Sequence, residues 1–579
     1  MILLRITSLY SLVMLLVFSL PKFAESQVSS PANSGGVVWA NQGWSDAQRE
    51  FYHFASQGVV TSRIDWFMAL EQPDSKQLLS DPGYLVRFGF MLAPKSRLNP
   101  VGLPIGFALA PEDSLTKGTV GLTCAACHSG QLSYRGTRFR IDGSQAMVNT
   151  TAFGDAIVES ILTTYYSSQK WNRFARRVLG KSFNPTTEKT LRTQFGAEVS
   201  KVEWVNKTTF EKDIYPVVEG YGRTDAIGRI GNSVFGTDLH ESSNFKVANA
   251  PVSFPQLWDI WKFDWVQYDA SVVQPMSRNT GEDLGVGAIA NYLDSNGATN
   301  PAPQKWASSI NFENLKKIET QLQSLKAPLW PSTLFGSVNI PLARQGRHLF
   351  ERNCASCHAP RPVLPPGDKF AKLAVTIVDA NVIGTDPQRV INSTTARYNP
   401  SKLLGFQSPE IDLAEGLFTV TEGGKNWYYD LMQFTPEQRG YYNGFDRPNI
   451  VSFQMQYKAR PLDGIWATPP FLHNGSVRNI YELLSPVSQR AQKFWVGLDD
   501  FDPVRLGLGA KSNNMGFMMD TSITGNSNSG HEFNSTSGAG VIGRLLSHQE
   551  RVAIIEYLKV LPEMPPENLP GVKLDWLYR

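Results

Sequence analysis

The 579-residue sequence holds four cysteines, and all four stand in two copies of one pattern, Cys124-Ala-Ala-Cys127-His128 and Cys354-Ala-Ser-Cys357-His358. Such a run is the attachment signature of a c-type haem: the two thiols add to porphyrin vinyl groups as thioethers, and the adjoining imidazole lies under the iron as proximal ligand. Two runs predict two covalent haems and leave no thiol for a disulfide or a nucleophile. Zinc ribbons and thioredoxin-like dithiols also use Cys-x-x-Cys, but neither needs a histidine after the second cysteine in both copies.

A proximal histidine leaves the opposite iron face undecided, and that sixth position separates a haem that relays electrons from one that binds a reactant. The sequence has eight histidines. Beyond His128 and His358, the candidates are His53, His240, His348, His473, His531 and His548, with Met432, Met455, Met515, Met518 and Met519 as possible thioether ligands downstream of the second motif. A lone His or Met is more often a packing or surface residue than a ligand.

Haem sites need helices and loops packed around them, so a mainly α fold is expected, with two cytochrome c-like haem domains, long wrapping loops and little β structure. Residues 1–26 read as an export signal: Arg5 is the basic start, Ile6 to Leu20 is mostly apolar, and Ala24-Glu25-Ser26 offers a cleavage site. The expected division is 27–335 for an N-terminal haem domain and 336–579 for a C-terminal cytochrome c domain. A capped helix begins at Ser45 with Gln48 three residues on, and Phe51, Phe54, Trp66 and Phe67 are expected core. An amphipathic helix from Pro341 (Leu342, Gly346, His348, Leu349, Phe350) leads into Cys354, and a closing helix starts at the Ser547–Glu550 capping box. Asn311 to Lys326 reads as a polar helix, and Asn513 to Gly540 as a wrapping loop. The net charge of +3, with signs interspersed, points to no nucleic acid partner and no polybasic membrane contact. After signal cleavage no stretch is long and apolar enough to span a bilayer.

Several longer stretches resemble the di-haem cytochrome c peroxidase superfamily, and within it the rubber oxygenase-like branch. They are Trp44-Ser-Asp-Ala-Gln-Arg-Glu-Phe51 with Ser56-Gln-Gly58, Gly130-Gln-Leu-Ser-Tyr-Arg-Gly136 leading to Arg140-Ile-Asp-Gly143, Ala250-Pro-Val-Ser-Phe-Pro-Gln-Leu-Trp258, Ala467-Thr-Pro-Pro-Phe-Leu-His-Asn-Gly-Ser476, and Asp520 through Phe533. The resemblance implies an N-terminal haem on His128 with an open or weakly held distal face, which makes His128 the proximal ligand of the reactive centre. It implies a C-terminal haem with histidine on both sides of the iron, His358 and, by position in Gly530-His531-Glu532-Phe533, His531 ahead of His473 or His548. The cofactor-binding set is therefore Cys124, Cys127, His128, Cys354, Cys357, His358 and His531. The aromatic run Phe254, Trp258, Trp261, Phe263 and Trp265 is the expected distal wall of the first haem, and no distal histidine stands out there, although His53 and His240 stay open.

The branch implies dioxygen chemistry on long apolar chains with a double bond. The expected activity is that of a periplasmic or secreted bacterial oxygenase acting with O2 on an unsaturated fatty acid such as oleate, closest to the fatty acid dioxygenase and diol synthase group. Rubber (polyisoprene) cleavage, hydrogen peroxide reduction and plain electron carriage are the alternatives. A small electron-donor protein is an expected partner, and Arg135, Arg138 and Arg140 are candidate partners for a substrate carboxylate or a haem propionate. The resemblance also allows a calcium ion between the domains, for which the sequence shows no local ligand pattern.

Overall fold

A short strand, β1 (Val37–Trp39), leads into α1 (Asp46–Phe54), whose start is fixed by the reciprocal bonds of Ser45 and Gln48 expected from the sequence. The structure is a computed structural model and describes residues 36–111, 116–359, 361–362, 373–497, 500–509 and 516–567. The expected export segment and Met515 lie outside those residues. The first Cys-His motif forms one helical turn, α2 (Cys124–Cys127), that runs straight into a hairpin of β2 (Ser129–Tyr134) and β3 (Thr137–Asp142). Its turn residues, Arg135 and Gly136, both have positive φ (49° and 85°), as a two-residue hairpin loop requires. β1 joins β3 in parallel.

Three helices follow: α3 (Thr150–Tyr166), α4 (Ser168–Leu179) and α5 (Pro185–Glu211). Next come α6 (Pro275–Val286) and α7 (Phe312–Leu322). The expected lead-in helix is α8 (Ile340–Asn353), and the second motif is the turn α9 (Ala355–His358). The later helices include α10 (Leu413–Leu431) and the closing α11 (His548–Val560), which starts on the Ser547–Glu550 capping box. Short strands hold the loops between them: β4 (Thr376–Asp379) runs antiparallel to β5 (Gln456–Ala459), β6 (Lys493–Val496) antiparallel to β7 (Phe517–Asp520), and β8 (Glu532–Asn534) parallel to β9 (Val541–Arg544). The fold is thus mostly α with small two- and three-stranded sheets. Among the described residues no helix is long and apolar enough to cross a membrane.

Apolar packing sets where the two motifs sit. One core draws Tyr52, Phe139 and Trp258 together with Phe350, Trp466 and Tyr557, so it takes side chains from both sides of the expected 335/336 boundary. A second core joins Phe107 and Phe153 to Trp171, Phe174 and Phe195 of α4 and α5, and a third joins α6, α7 and α10 through Met276, Leu284, Phe312, Leu315 and Leu417. α8 and α11 cross where Gly346 meets α11: a Cβ on Gly346 would stand 1.9 Å from the Ala553 carbonyl oxygen. Of the residues expected in the first core, Phe54, Trp66 and Phe67 are buried and Phe51 is half-buried.

Two expectations change. The helix read as polar over 311–326 ends at Leu322 and buries Phe312, Leu315, Ile318 and Leu322; its apolar residues recur at helical spacing among the charges, and that face is covered. The stretch read as a loop from Asn513 to Gly540 contains β7, which pairs with β6 more than twenty residues earlier, and β8, which pairs in parallel with β9 just beyond the stretch.

Candidate haem sites

The first motif is held from all sides. The Thr123 hydroxyl caps the turn by accepting from the Ala125 amide at 3.3 Å. Gly106 passes directly behind it at φ 91°, where a Cβ would come within 2.3 Å of Ala126 Cα, so only glycine fits. The Gln57 side-chain oxygen accepts from the Cys124 amide at 3.2 Å and lies 3.3 Å from its Sγ. Tyr52 donates its hydroxyl to the His128 carbonyl at 2.8 Å. The His128 Nδ1 donates to the carbonyl of Pro255 at 2.7 Å. A carbonyl only accepts, so Nδ1 keeps the proton and Nε2 carries the free lone pair a metal needs. Burial pulls this imidazole down to about 4, against the Pro255 bond, so the ring is neutral at ordinary pH. Burial likewise raises both thiols, Cys127 to about 12, which keeps them protonated.

The second motif repeats this design. The His358 Nδ1 donates to the Arg460 carbonyl at 2.7 Å, and burial lowers its pKa. Across a cavity of ≈ 260 Å³ stands His531, its ring centre 6.1 Å from that of His358. Two metal–imidazole bonds of about 2 Å, with roughly 1 Å more from each nitrogen back to its ring centre, give a separation of about 6 Å. The observed spacing therefore suits one metal ion between the rings. His531 sits at φ 46° and its amide donates to the Ile383 carbonyl at 2.9 Å. Gly530 and Gly384 touch beside it, since a Cβ on Gly530 would lie 2.1 Å from the Gly384 carbonyl carbon. Arg490 then clamps the loop, donating to the carbonyls of Gly530 (2.9 Å) and His531 (3.0 Å). Burial, then the nearby His358 and Arg490, bring His531 down to about 3, so it too is neutral.

The remaining candidates go elsewhere. His53 is buried against Asp142, 2.7 Å from Oδ1, with Arg49 on the other carboxylate oxygen. His240 stacks on Trp204 at 3.9 Å, and His348 is exposed beside Glu351. His548 lies on the first turn of α11 with Tyr481 2.9 Å from its Nδ1. His473 does line the second cavity, but it stacks on Tyr457 at 4.4 Å with that hydroxyl 3.2 Å from its Nε2. Met432 and Met518 are exposed, Met519 is buried in a separate small core, and Met455 packs beside Tyr457. Arg135 and Arg138 are exposed, and Arg140 bonds Gln131 and the Leu92 carbonyl.

Of the aromatic run expected as the distal wall, the start lies on the other side of the His128 ring, while Trp261 lines a cavity together with Arg278. Phe254 meets the His128 ring edge-on at 6.1 Å, and Pro255 accepts from Nδ1, so this segment lies behind the imidazole rather than across the iron position. Trp258 and Phe263 are fully buried core residues. What sequence reasoning missed is α6. The charges of Arg278 and Glu282 are felt at Cys124, and Glu282 also at Cys127, which brings that helix face to the first motif. The Glu282 side chain is 40% exposed, yet burial raises its pKa, as expected for a carboxyl facing an internal void. Gln267 donates to it at 2.7 Å, and Arg278 pairs with Glu319. The signal in the sequence was the placing of Arg278 and Glu282 four residues apart, on one face of a helix.

A porphyrin with two carboxylates per ring suits these surroundings. The walls of the second cavity combine apolar side chains such as Phe350, Ile383, Leu484, Phe533 and Leu558 with the Arg460 guanidinium and with Lys458, whose amine burial pulls down to about 7. Among the cavity's lining residues, Arg460 Nε and His531 Nδ1 are buried polar atoms without a protein partner. An unmatched buried donor is costly, so such a set points to an acceptor from outside the chain. Among the described residues no three or more His, Cys, Asp or Glu side chains gather around one point. An axial histidine pair needs only two, because the porphyrin fills the remaining positions.

Residues 456–496, the segment that carries Tyr457, Lys458, Arg460 and His473, match the family described as RoxA-like, cytochrome c-like. The chain is 39% identical over 572 residues to the uncharacterized protein y4iJ of Sinorhizobium fredii, covering 91% of this chain and 93% of that one. It is also 26% identical over 297 residues to the uncharacterized protein y4iM of the same bacterium, covering 48% of this chain and 56% of the relative.

Proposed function

This chain belongs to the family of the Sinorhizobium fredii protein y4iJ and carries a RoxA-like, cytochrome c-like segment, and from that premise we propose that it is an exported di-haem c-type oxygenase. Its reaction is the addition of dioxygen to a long-chain unsaturated apolar substrate, with a fatty acid such as oleate as the leading candidate. Cys124, Cys127 and His128 hold the reactive haem; Cys354, Cys357, His358 and His531 hold the electron-transfer haem. The observation that carries this reading is the contrast between the motifs: His358 faces a second neutral imidazole at 6.1 Å, and no imidazole is paired with His128 in that way among the described residues.

When bound, haem supplies dioxygen activation at an open iron face and electron exchange at a closed one. The chain supplies geometry and proton control. Pro255 and Arg460 fix the two proximal rings through Nδ1, which sets both their orientation and their basicity as ligands. Arg490 holds the His531 loop so that its ring stays opposite His358. What supports export is the basic start and apolar run read in residues 1–26, together with the compartment in which such haems are attached.

A peroxidase is the second reading, because Glu282, a partly exposed carboxyl with a raised pKa on the helix beside the first motif, is a group able to take and return a proton. Purified holoprotein is incubated with oleate under labelled dioxygen, with polyisoprene under the same gas, and with hydrogen peroxide plus a reduced electron donor. Label recovered in the oleate product is the expected result. Label only in polyisoprene fragments reassigns the substrate, and peroxide turnover with no label in either product refutes the oxygenase.

A further inference from the structure

The two proximal histidines are joined through a single residue. His128 donates from Nδ1 to the Pro255 carbonyl at 2.7 Å. The next carbonyl along that chain, Gln256, accepts from Arg460 Nη1 at 2.7 Å, and Arg460 Nη2 donates to the Trp258 carbonyl at 3.0 Å. The carbonyl of Arg460 itself accepts from His358 Nδ1 at 2.7 Å. The guanidinium therefore grips the segment behind one imidazole while the backbone of the same residue holds the other. The grip is rigid: Trp258 Nε1 donates to the Asp463 carbonyl at 2.9 Å, and Gly464 packs against the Trp258 ring. Arg460 lies across the Phe263 ring, 5.2 Å from its centre, and lines the second cavity.

We infer that Arg460 is the coupling residue between the two haem sites: it positions both proximal imidazoles and provides the bonded route by which an electron passes between their irons. The inference rests on the di-haem reading above. One electron leaves the iron beside His358, which goes from ferrous to ferric, and reaches the iron beside His128, which goes from ferric to ferrous; no bond breaks and no proton moves. Tunnelling falls off less steeply through covalent and short hydrogen bonds than across van der Waals gaps. The competing route is the Phe254 ring, which touches His128 edge-on and also borders the second cavity.

The test uses the full-length holoprotein poised half-reduced, with carbon monoxide on the haem that binds it. A flash removes the ligand, and the Soret band reports how fast the electron redistributes. Arg460→Met keeps an unbranched side chain but removes every donor, and a rate about tenfold slower is expected. Arg460→Lys keeps the charge with a single-point grip and is expected between Arg460→Met and wild type. Phe254→Leu is expected near the wild-type rate. Arg460→Met at the wild-type rate overturns the inference, as does Phe254→Leu slowing transfer as much as Arg460→Met. Should Arg460→Met not accumulate with two haems by intact mass, Arg460→Lys at the wild-type rate overturns it instead. A wild-type protein with fewer than two haem adducts, or with neither haem binding carbon monoxide, overturns the di-haem reading itself and with it the inference.

Discussion

At the scale of single residues, the second site turns on which imidazole is free to bind. His531 and His473 both line the cavity, both are neutral, and both are held to about 3 by burial. They differ in their engagements: His473 has a tyrosine hydroxyl at its Nε2, whereas His531 faces His358. His531→Ala is therefore expected to turn one haem from low spin to high spin in the electronic and electron paramagnetic resonance spectra, while His473→Ala leaves the spin state unchanged. A different residue governs pH dependence of stability. Burial, opposed by Lys201, pushes the Asp238 carboxyl up to about 7, and its Oδ2 has no partner. In the unfolded chain an aspartate titrates near about 3.9. Above pH 7 both states are ionised and the folded protein carries the whole cost of burying the charge; between about pH 7 and 4 the folded state takes up the proton and the cost shrinks. Asp238→Asn should thus stabilise the protein by on the order of 1 kcal/mol or more at pH 8 and by little at pH 4, read from urea midpoints at the two values.

At the scale of elements, each ligand is only as well placed as the helix or loop beneath it. α8 delivers Cys354 and His358, and it lies against α11 at a distance that only Gly346 allows. Gly346→Ala adds a methyl group where there is no room; overpacking of this kind costs roughly 1–3 kcal/mol, and the thermal midpoint should fall accordingly. Arg490 serves the other ligand, and Arg490→Ala removes the donors that hold the His531 loop, so a mixed-spin spectrum is expected with haem content unchanged by mass spectrometry. These elements were unequally legible in the sequence. Both capping boxes and the α8 lead-in could be read because their signals are local, set by residues three or four apart. The strands around His531 could not, since β7 takes its form from β6 earlier in the chain, and β8 pairs with the nearby β9 in parallel, without the two-residue turn that marks a hairpin. Phe254 was expected in the right neighbourhood but on the wrong side of the ring, because composition does not say which nitrogen of His128 a segment will face. Arg460 and Arg490 were invisible for the same reason: each acts through carbonyls that only the fold brings near.

At the scale of the whole molecule, the two motifs occur far apart in sequence yet share one apolar core. Trp258 and Phe139 from the first half pack in the same cluster as Phe350, Trp466 and Tyr557 from the second. Polar bonds cross the same divide: Ser144 donates to the Ala467 carbonyl at 2.6 Å, Trp466 Nε1 to the Pro328 carbonyl at 3.2 Å, and buried Arg223 to Asn526 at 2.8 Å. Splitting the chain near residue 335 would strip each half of part of its core and leave these donors and acceptors without partners. Large apolar side chains contribute about 1.5–3 kcal/mol each when fully buried, so losing several of them matches the roughly 5–15 kcal/mol by which proteins are stable. The residues 27–335 and 336–579 expressed apart should therefore be insoluble or protease-sensitive, and the intact protein should unfold in one transition. Tryptophan fluorescence follows the shared core, and on the proposed reading the Soret band follows haem bound at the two motifs. Coincident midpoints in guanidinium for both signals are the expected result. Two separated midpoints, or a half that folds alone with its haem, would show that each motif governs an independent domain and that the shared core adds little to either.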